Sequence, residues 1–298
     1  MTEPVTGGAP ATGVTGSPGG TPASAPGIRA AAPAATPSGA GRRRHPRRRR
    51  LVSALWPVVA SLAVFVLVWQ FIVLVSGFQS FILPGPLTVA ERFVRAWTDG
   101  TMWPHVQSTL VEVLLGFAIG ASIALVVGIA LARSPLAERL LSPYLVAAQA
   151  TPVLALAPLI ALWFGTGLLS KLVICTLIVF FPVAVATMVG VRSVDPRLLE
   201  MARSFRAGSW QLITRVEVPA ALPAILGGMR VGVTLAVIGA IVGEWAGANQ
   251  GLGVLINIAR GSLFDIPLMF AALLQLAIIG VTLYLVMLFI ERRLVGER

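Results

Sequence analysis

Charge is scarce in this chain: only 12% of its 298 residues are charged, and acids are outnumbered, with 12 Asp and Glu against 23 Lys and Arg. A soluble domain carries roughly twice that share of charge. There is one cysteine, Cys175, which excludes an intrachain disulfide and leaves a cysteine-based zinc site without ligands. Of the two histidines, His45 sits in an arginine run and His105 beside Pro104, so neither belongs to a ligand cluster and no metal site is expected. The one lysine, Lys171, follows Ser170, so the chain has no G-x-x-x-x-G-K-[ST] phosphate loop. Any ATP the protein uses must be hydrolysed on another chain. Period-two alternation is also lacking, which excludes a transmembrane barrel.

What is present is apolar: 56% of residues, with a mean hydropathy of +0.87 and uncharged stretches longer than any core helix requires. This is the composition of an integral membrane protein. The net charge of +11 is concentrated in residues 1 to 50, which hold 8 of the 23 basic residues and a single acid, leaving +4 for the other 248 residues. That pattern fits a basic flank at a membrane surface and not a stripe tracking phosphates, so no nucleic-acid partner is expected.

Residues 1–41 are almost entirely Ala, Gly, Pro, Ser and Thr, too poor in apolar surface to offset chain entropy, and are read as a disordered tail. The run Arg42 to Arg50 leads directly into the first long apolar segment. Its length and the absence of an A-x-A-like cleavage site favour a retained anchor over a signal peptide. The expected organisation is therefore a cytoplasmic tail over 1–50 and an all-α, polytopic domain over 51–298. In the latter, six segments of about twenty residues could cross about 30 Å of hydrocarbon. They lie at roughly 54–76, 108–132, 140–163, 172–191, 220–245 and 267–290. Asp265 and Pro267 supply entry chemistry for the sixth, and Pro219 and Pro223 bracket the start of the fifth.

With the N-terminus inside, eighteen basic residues fall on the cytoplasmic side and four (Arg92, Arg95, Lys171 and Arg260) outside, with Arg230 within the fifth span. This follows the positive-inside rule in every loop pair and predicts cytoplasmic N- and C-termini in a cytoplasmic membrane. Gly116 with Gly120, Gly228 with Gly232, and Gly239 with Gly243 are i, i+4 pairs that let helix backbones approach closely in lipid. Cys175 reads as a lipid-facing or packing residue. Pro143, Pro152 and Pro158 in the third span and Pro182 in the fourth each remove a backbone donor.

The connection between spans four and five, about 192–219, is the most informative stretch. Asp195 with Pro196 forms an N-cap and N1 pair. Leu198, Met201, Ala202 and Phe205 then recur at helical spacing opposite Arg197, Glu200, Arg203 and Ser204. Such a short amphipathic helix rests either in the lipid interface or against a partner.

Glu200-Met201-Ala202, followed at the right interval by Val216-Glu217-Val218-Pro219, resembles the EAA loop of the permease subunits of ATP-binding-cassette importers. That loop has the form E-A-A, three residues, Gly, nine residues, I-x-L-P. The resemblance runs from about Ala150 to Arg293. It includes Ala157 to Gly167, Phe180-Phe181-Pro182, Gly190 to Pro196, Gly243-Glu244-Trp245 and Gly251-Leu252-Gly253. One departure is that the family glycine falls at Arg206, with the nearest glycine at Gly208. If that turn needs a positive φ, arginine would be strained there by roughly 1 kcal/mol or more, so the turn is expected to shift by two residues.

The resemblance implies a type I importer permease working by alternating access. Two copies, a homodimer, would form the pathway, and an external solute-binding protein would deliver substrate. Cytoplasmic ATPase subunits would hold ATP and Mg, with no cofactor on this chain. The loop residues Asp195, Pro196, Glu200, Met201, Ala202, Phe205, Arg206, Gly208 and Pro219 would dock on the ATPase. The resemblance lies in the branch for nitrate, taurine, alkanesulfonates and thiamine-pyrimidine precursors. The stretches 150–158, 237–245 and 270–272 look most like the pyrimidine-precursor or riboflavin type, with sulfonate, taurine or nitrate as the other choice.

Polar groups within spans are few, and an ionisable one is a functional candidate. Gln149, Thr151 and Pro152 of the third span, with Arg230 and Glu244, are candidates to line the pathway. Glu112 and Glu244 lie near outer ends, and Arg230 near an inner end. A secondary transporter driven by an ion gradient is the alternative, but it would need carboxylates at mid-membrane, and spans three, four and six contain none.

Overall fold

The computed structural model describes residues 47–79 and 82–296. The tail reading for 1–41 and the first five residues of the basic run lie outside it. The chain divides into two units, Met1–Ala54 and Leu55–Arg298, and the fold is that of the second. Among the described residues all regular structure is helical: α1 (Arg47–Ser76), α2 (Pro86–Thr98), α3 (Met102–Arg133), α4 (Pro135–Ala150), α5 (Val153–Phe164), α6 (Leu168–Arg192), α7 (Pro196–Ser204), α8 (Ser209–Leu212), a π turn (Ile213–Glu217), α9 (Val218–Trp245), α10 (Leu252–Gly261) and α11 (Ile266–Val295).

α6 is the centre of the bundle, gripped between α3 and α9 through their glycines. A Cβ placed on Gly116 would sit 2.3 Å from the Cβ of Cys175, and one on Gly239 would sit 2.9 Å from the Cα of the same cysteine. Cys175 is thus fully buried between two helices and is a packing residue. Further along, Gly120 meets Thr176 and Val179, and Gly128 meets Ala184 and Thr187. Numbers rise together on α3 and α6, so these helices run parallel. On α9 the order is reversed, with Gly243 on Lys171, Gly232 on Val183 and Gly228 on Ala186, so α9 runs antiparallel to both. Lipid gives helices no hydrophobic reason to associate, and the missing side chains supply the close van der Waals contact that replaces it.

Two parallel helices in sequence require the chain to return between them, and α4 with α5 make that return. The third span is therefore not one straight helix but a pair bent by 95°. The cause is local. Pro152 disfavours helical geometry at the residue before it, and Thr151 is extended at φ −76°, ψ 126°. Pro143 and Pro158 stay inside their helices. Among the described residues five helices are long and apolar enough to cross a membrane singly, and the bent pair makes six.

The fifth span also differs from its expected bounds. Helical backbone begins at Ser209, ahead of Pro219, and continues for 37 residues to Trp245. Pro219 cannot donate to the carbonyl four residues back and crowds it, and the chain widens into the π turn over those residues. α11 packs on α9 and α10 through Leu268, Ala271, Ala272, Leu276 and Ile279. Outward-facing side chains of α1 such as Leu62, Phe65, Leu67 and Phe71 are exposed and apolar, a surface suited to hydrocarbon.

Candidate functional site

The C-termini of α3 and α6 and the N-terminal end of the 209–245 helix meet at one end of the bundle, here the loop end. α7 starts as its sequence dictates: the Asp195 carboxylate accepts from the Arg197 N–H at 2.9 Å, and Pro196 occupies the first turn, where a missing donor costs nothing. It stops by a Schellman turn, in which Arg206 N–H donates to Arg203 O at 2.8 Å and Ala207 N–H to Ala202 O at 3.2 Å. That motif needs a left-handed residue after the cap, and Arg206 supplies it at φ 57°. The expected shift to Gly208 does not occur. Gly208 has φ −70° and instead begins α8, its N–H donating to Gln211 Oε1. The two reciprocal turn bonds hold an arginine where glycine would be unstrained.

Leu199 turns toward the cluster of Val191, Val194, Ala221 and Ile225 that anchors α7. The other apolar face has no cover: Leu198, Met201 and Phe205 are 42%, 56% and 81% exposed, and Trp210 on α8 is also exposed. Glu200 and Arg203 are exposed beside them.

Behind this face lies a set of ionic ties. Arg133, at the end of α3, places Nη1 3.6 Å from Glu217 Oε2 and donates to Ser209 O at 3.2 Å. Arg192, at the end of α6, donates to the carbonyls of Leu131 and Ala132 and pairs with Glu138 on α4. It therefore covers C-terminal carbonyls of α3 with a cation, the sign the helix dipole favours.

The opposite end holds a buried polar network. Lys171 Nζ lies 2.5 Å from Glu112 Oε1, which also accepts from Ser108 Oγ at 2.8 Å. Glu244, only 2% exposed, accepts from Thr109 Oγ1 and from the Gly253 N–H. Thr109 Oγ1 in turn accepts from Leu252 N–H, and Trp245 Nε1 donates to Gly253 O. At Gly251, with φ 136°, a Cβ would lie 2.1 Å from Glu244 Cδ, so no other residue fits that turn. His105 Nδ1 lies 2.7 Å from Gly251 O. Four helices, α3, α6, α9 and α10, are joined here. Sequence reading flagged Glu112 and Glu244 singly. Their grouping with Lys171, Thr109 and His105 was missed, and the only signal was an isolated lysine opening an apolar run. Outside the spans, the hydroxyl and then the backbone N–H of Thr101 hold the Asp99 carboxyl below its ordinary range.

The five residues considered for the pathway do not converge. Gln149, Thr151 and Pro152 are exposed together at the α4–α5 bend, where Thr151 Oγ1 donates to Ala147 O. Arg230 instead pairs with Glu291 and lies over the Tyr284 ring, tying α9 to α11. Glu244 is enclosed in the opposite-end network. No cluster of three His, Cys, Asp or Glu able to hold a metal occurs among the described residues.

Residues 116–296 match the family described as "Binding-protein-dependent transport system inner membrane component". The chain belongs to this family. Among relatives of this permease, the riboflavin transport system permease protein RibX of Chloroflexus aurantiacus is 47% identical over 253 residues, covering 84% of this chain and 94% of RibX. The formylaminopyrimidine transport permease protein ThiX of Halalkalibacterium halodurans is 35% identical, with 78% and 92% covered. The taurine transport system permease protein TauC of Escherichia coli is 30% identical, with 80% and 91% covered. In fold the permease matches the solved inward-facing MetNI methionine ABC transporter, with a TM-score of 0.58 at 22% identity, covering 65% of this chain and 98% of that one. It is a multi-pass inner-membrane permease of the type I ABC importer class, moving a small solute. Permeases of this family work with a binding protein and an ATPase.

Proposed function

We propose that this permease, as a homodimer, carries a small heteroaromatic solute of the riboflavin or pyrimidine-precursor type inward. The ATPase holds ATP and Mg, and α7 lies against it on the cytoplasmic side. The observation behind the docking reading is the uncovered face of Leu198, Met201 and Phe205 on a helix that is otherwise capped and anchored. Phe205 in particular, 81% exposed at the helix end, has the form of an aromatic anchor for a partner pocket. Met201 and Ala202 extend that face, Glu200 adds a rim charge, and Gly208 and Pro219 set where the next helix begins and widens. Cytoplasmic termini follow from placing the loop end on the ATPase side.

In this reading ATP-driven movement of α7 biases the bundle between two packings. Gln149, Thr151 and Pro152 line the route at the α4–α5 bend, while Arg230 and Glu244 hold helices together. RibX as the relative at 47% identity and the stretches 150–158, 237–245 and 270–272 favour the heteroaromatic class over sulfonates, taurine or nitrate. No observation favours an ion-gradient mechanism.

The test is purification of the tagged chain from its native membrane, with ATP hydrolysis assayed on the eluate, beside a Glu200→Arg variant. Co-purifying hydrolysis that the variant loses is the expected result, and a wild-type eluate without it overturns the docking reading. Uptake of radiolabelled riboflavin and taurine by vesicles carrying the complete system then decides the substrate class. Taurine uptake without riboflavin uptake reverses the choice.

A further inference from the structure

α8 runs into α9 through continuous helical backbone, and α7 is joined to α8 by a short turn, so a push on the loop reaches α9 without a further helix. α3 has no such connection. It ends at Arg133, and close backbone contact between α3 and the loop elements is slight. Yet α3 contributes one wall of the grip on α6, and it must move with α9 if the bundle is to repack and not shear.

We infer that Arg133 is the tie by which displacement of the coupling loop reaches α3, with Glu217 as its counter-charge. Three observations converge on this. Arg133 reaches both ends of the α8–π segment, its guanidinium donating to Ser209 O at 3.2 Å and lying 3.6 Å from the Glu217 carboxylate. Glu217 is buried, and Arg133 is the cation within salt-bridge distance of it among the described residues. The segment between the two contacts includes the π turn, a backbone form frequent at functional sites.

An ion pair 3.6 Å apart with an exposed arginine contributes little to stability, but together with the Ser209 hydrogen bond it sets the register of the two elements it joins. From α3 the connection continues to α6, since Arg192 donates to the Leu131 and Ala132 carbonyls beside Arg133 and pairs with Glu138. Arg133 is a positioning residue and touches no substrate. It makes the loop, α3 and α6 one mechanical unit.

The inference rests on the docking reading, and the experiment separates the two. The complete complex, purified with its ATPase subunits into nanodiscs, carries spin labels at Val126→Cys on α3 and Arg197→Cys on α7, both exposed positions. The buried Cys175 stays unlabelled. Electron–electron distances are measured with ADP and with ATP plus vanadate. The expected result is one distance in both nucleotide states for the otherwise wild-type chain, and a shift between states for Arg133→Gln. The conservative variant Arg133→Lys, which keeps a cation able to donate to Ser209 O and face Glu217, should return the single distance, which a merely destabilised variant would not do. A nucleotide-dependent distance in the wild-type background, an unshifted distance in Arg133→Gln, or an Arg133→Lys chain that behaves like Arg133→Gln overturns the tie. Failure of the docking reading shows earlier and differently, as no ATPase in the wild-type preparation.

Discussion

The Lys171 ammonium lies 2.5 Å from the Glu112 carboxylate, joining α6 to α3 at the end of the bundle opposite α7. Each is almost completely enclosed, so removing one leaves the other as an uncompensated buried charge. Lys171→Met is expected to destabilise the permease by about 3–5 kcal/mol, and the double change with Glu112→Leu to recover most of that loss. Reversible unfolding in mixed detergent micelles measures both. A double variant no more stable than the single one contradicts the pairing.

Glycines that look alike in sequence should behave very differently. A Cβ at Gly116 would penetrate Cys175, whereas Gly227 and Gly280 have open space where a Cβ would go. Gly116→Val is expected to cost at least the roughly 1–3 kcal/mol typical of overpacking. Alanine at Gly227 or Gly280 should leave the thermal midpoint unchanged or slightly raised. Equal effects at the three positions would contradict the gripped-α6 arrangement.

Arg206 occupies a left-handed conformation that glycine adopts without strain. Arg206→Gly should therefore stabilise the loop by about 1 kcal/mol. Slower amide exchange at Ala207, a donor of the Schellman turn, would report it. Should exchange quicken instead, the arginine side chain must be making a contact worth more than the strain.

Phe205 is exposed at the end of α7 and contributes little to the fold of the isolated chain. Phe205→Asp should leave expression and the melting temperature of the isolated permease intact while weakening ATPase association by about tenfold or more, as loss of an aromatic anchor does. Titration of the purified ATPase against permease in nanodiscs gives the affinity. An unchanged affinity would return α7 to the lipid interface.

The helical class, the crossing segments and the start of α7 were legible because each rests on local chemistry: hydrophobic runs, and Asp195 with Pro196 at a helix entry. The bend at Thr151 was not. Four prolines interrupt the third and fourth spans, and only Pro152 follows a residue that is released into extended geometry, which depends on where α4 and α5 must go. Arg206 shows the opposite limit. Propensity moves the turn to Gly208, but two backbone bonds of the Schellman motif outweigh the preference of one residue. Glu244 read as a span carboxylate open to solute, because nothing local reveals that Thr109 and Gly253, far apart in sequence, both donate to it.

The helix from Ser209 to Trp245 runs unbroken for 37 residues, about 55 Å at the usual rise per residue. Its first turns belong to the loop and its last carry Glu244, whose carboxylate holds the backbone of α10. A single hydrogen-bonded rod thus has one end where the ATPase would press and the other fastened to the turn at the far mouth of the bundle. Tilt applied at one membrane face emerges at the other in the same instant and by the same piece of backbone, so opening one mouth and closing the other need not be two events.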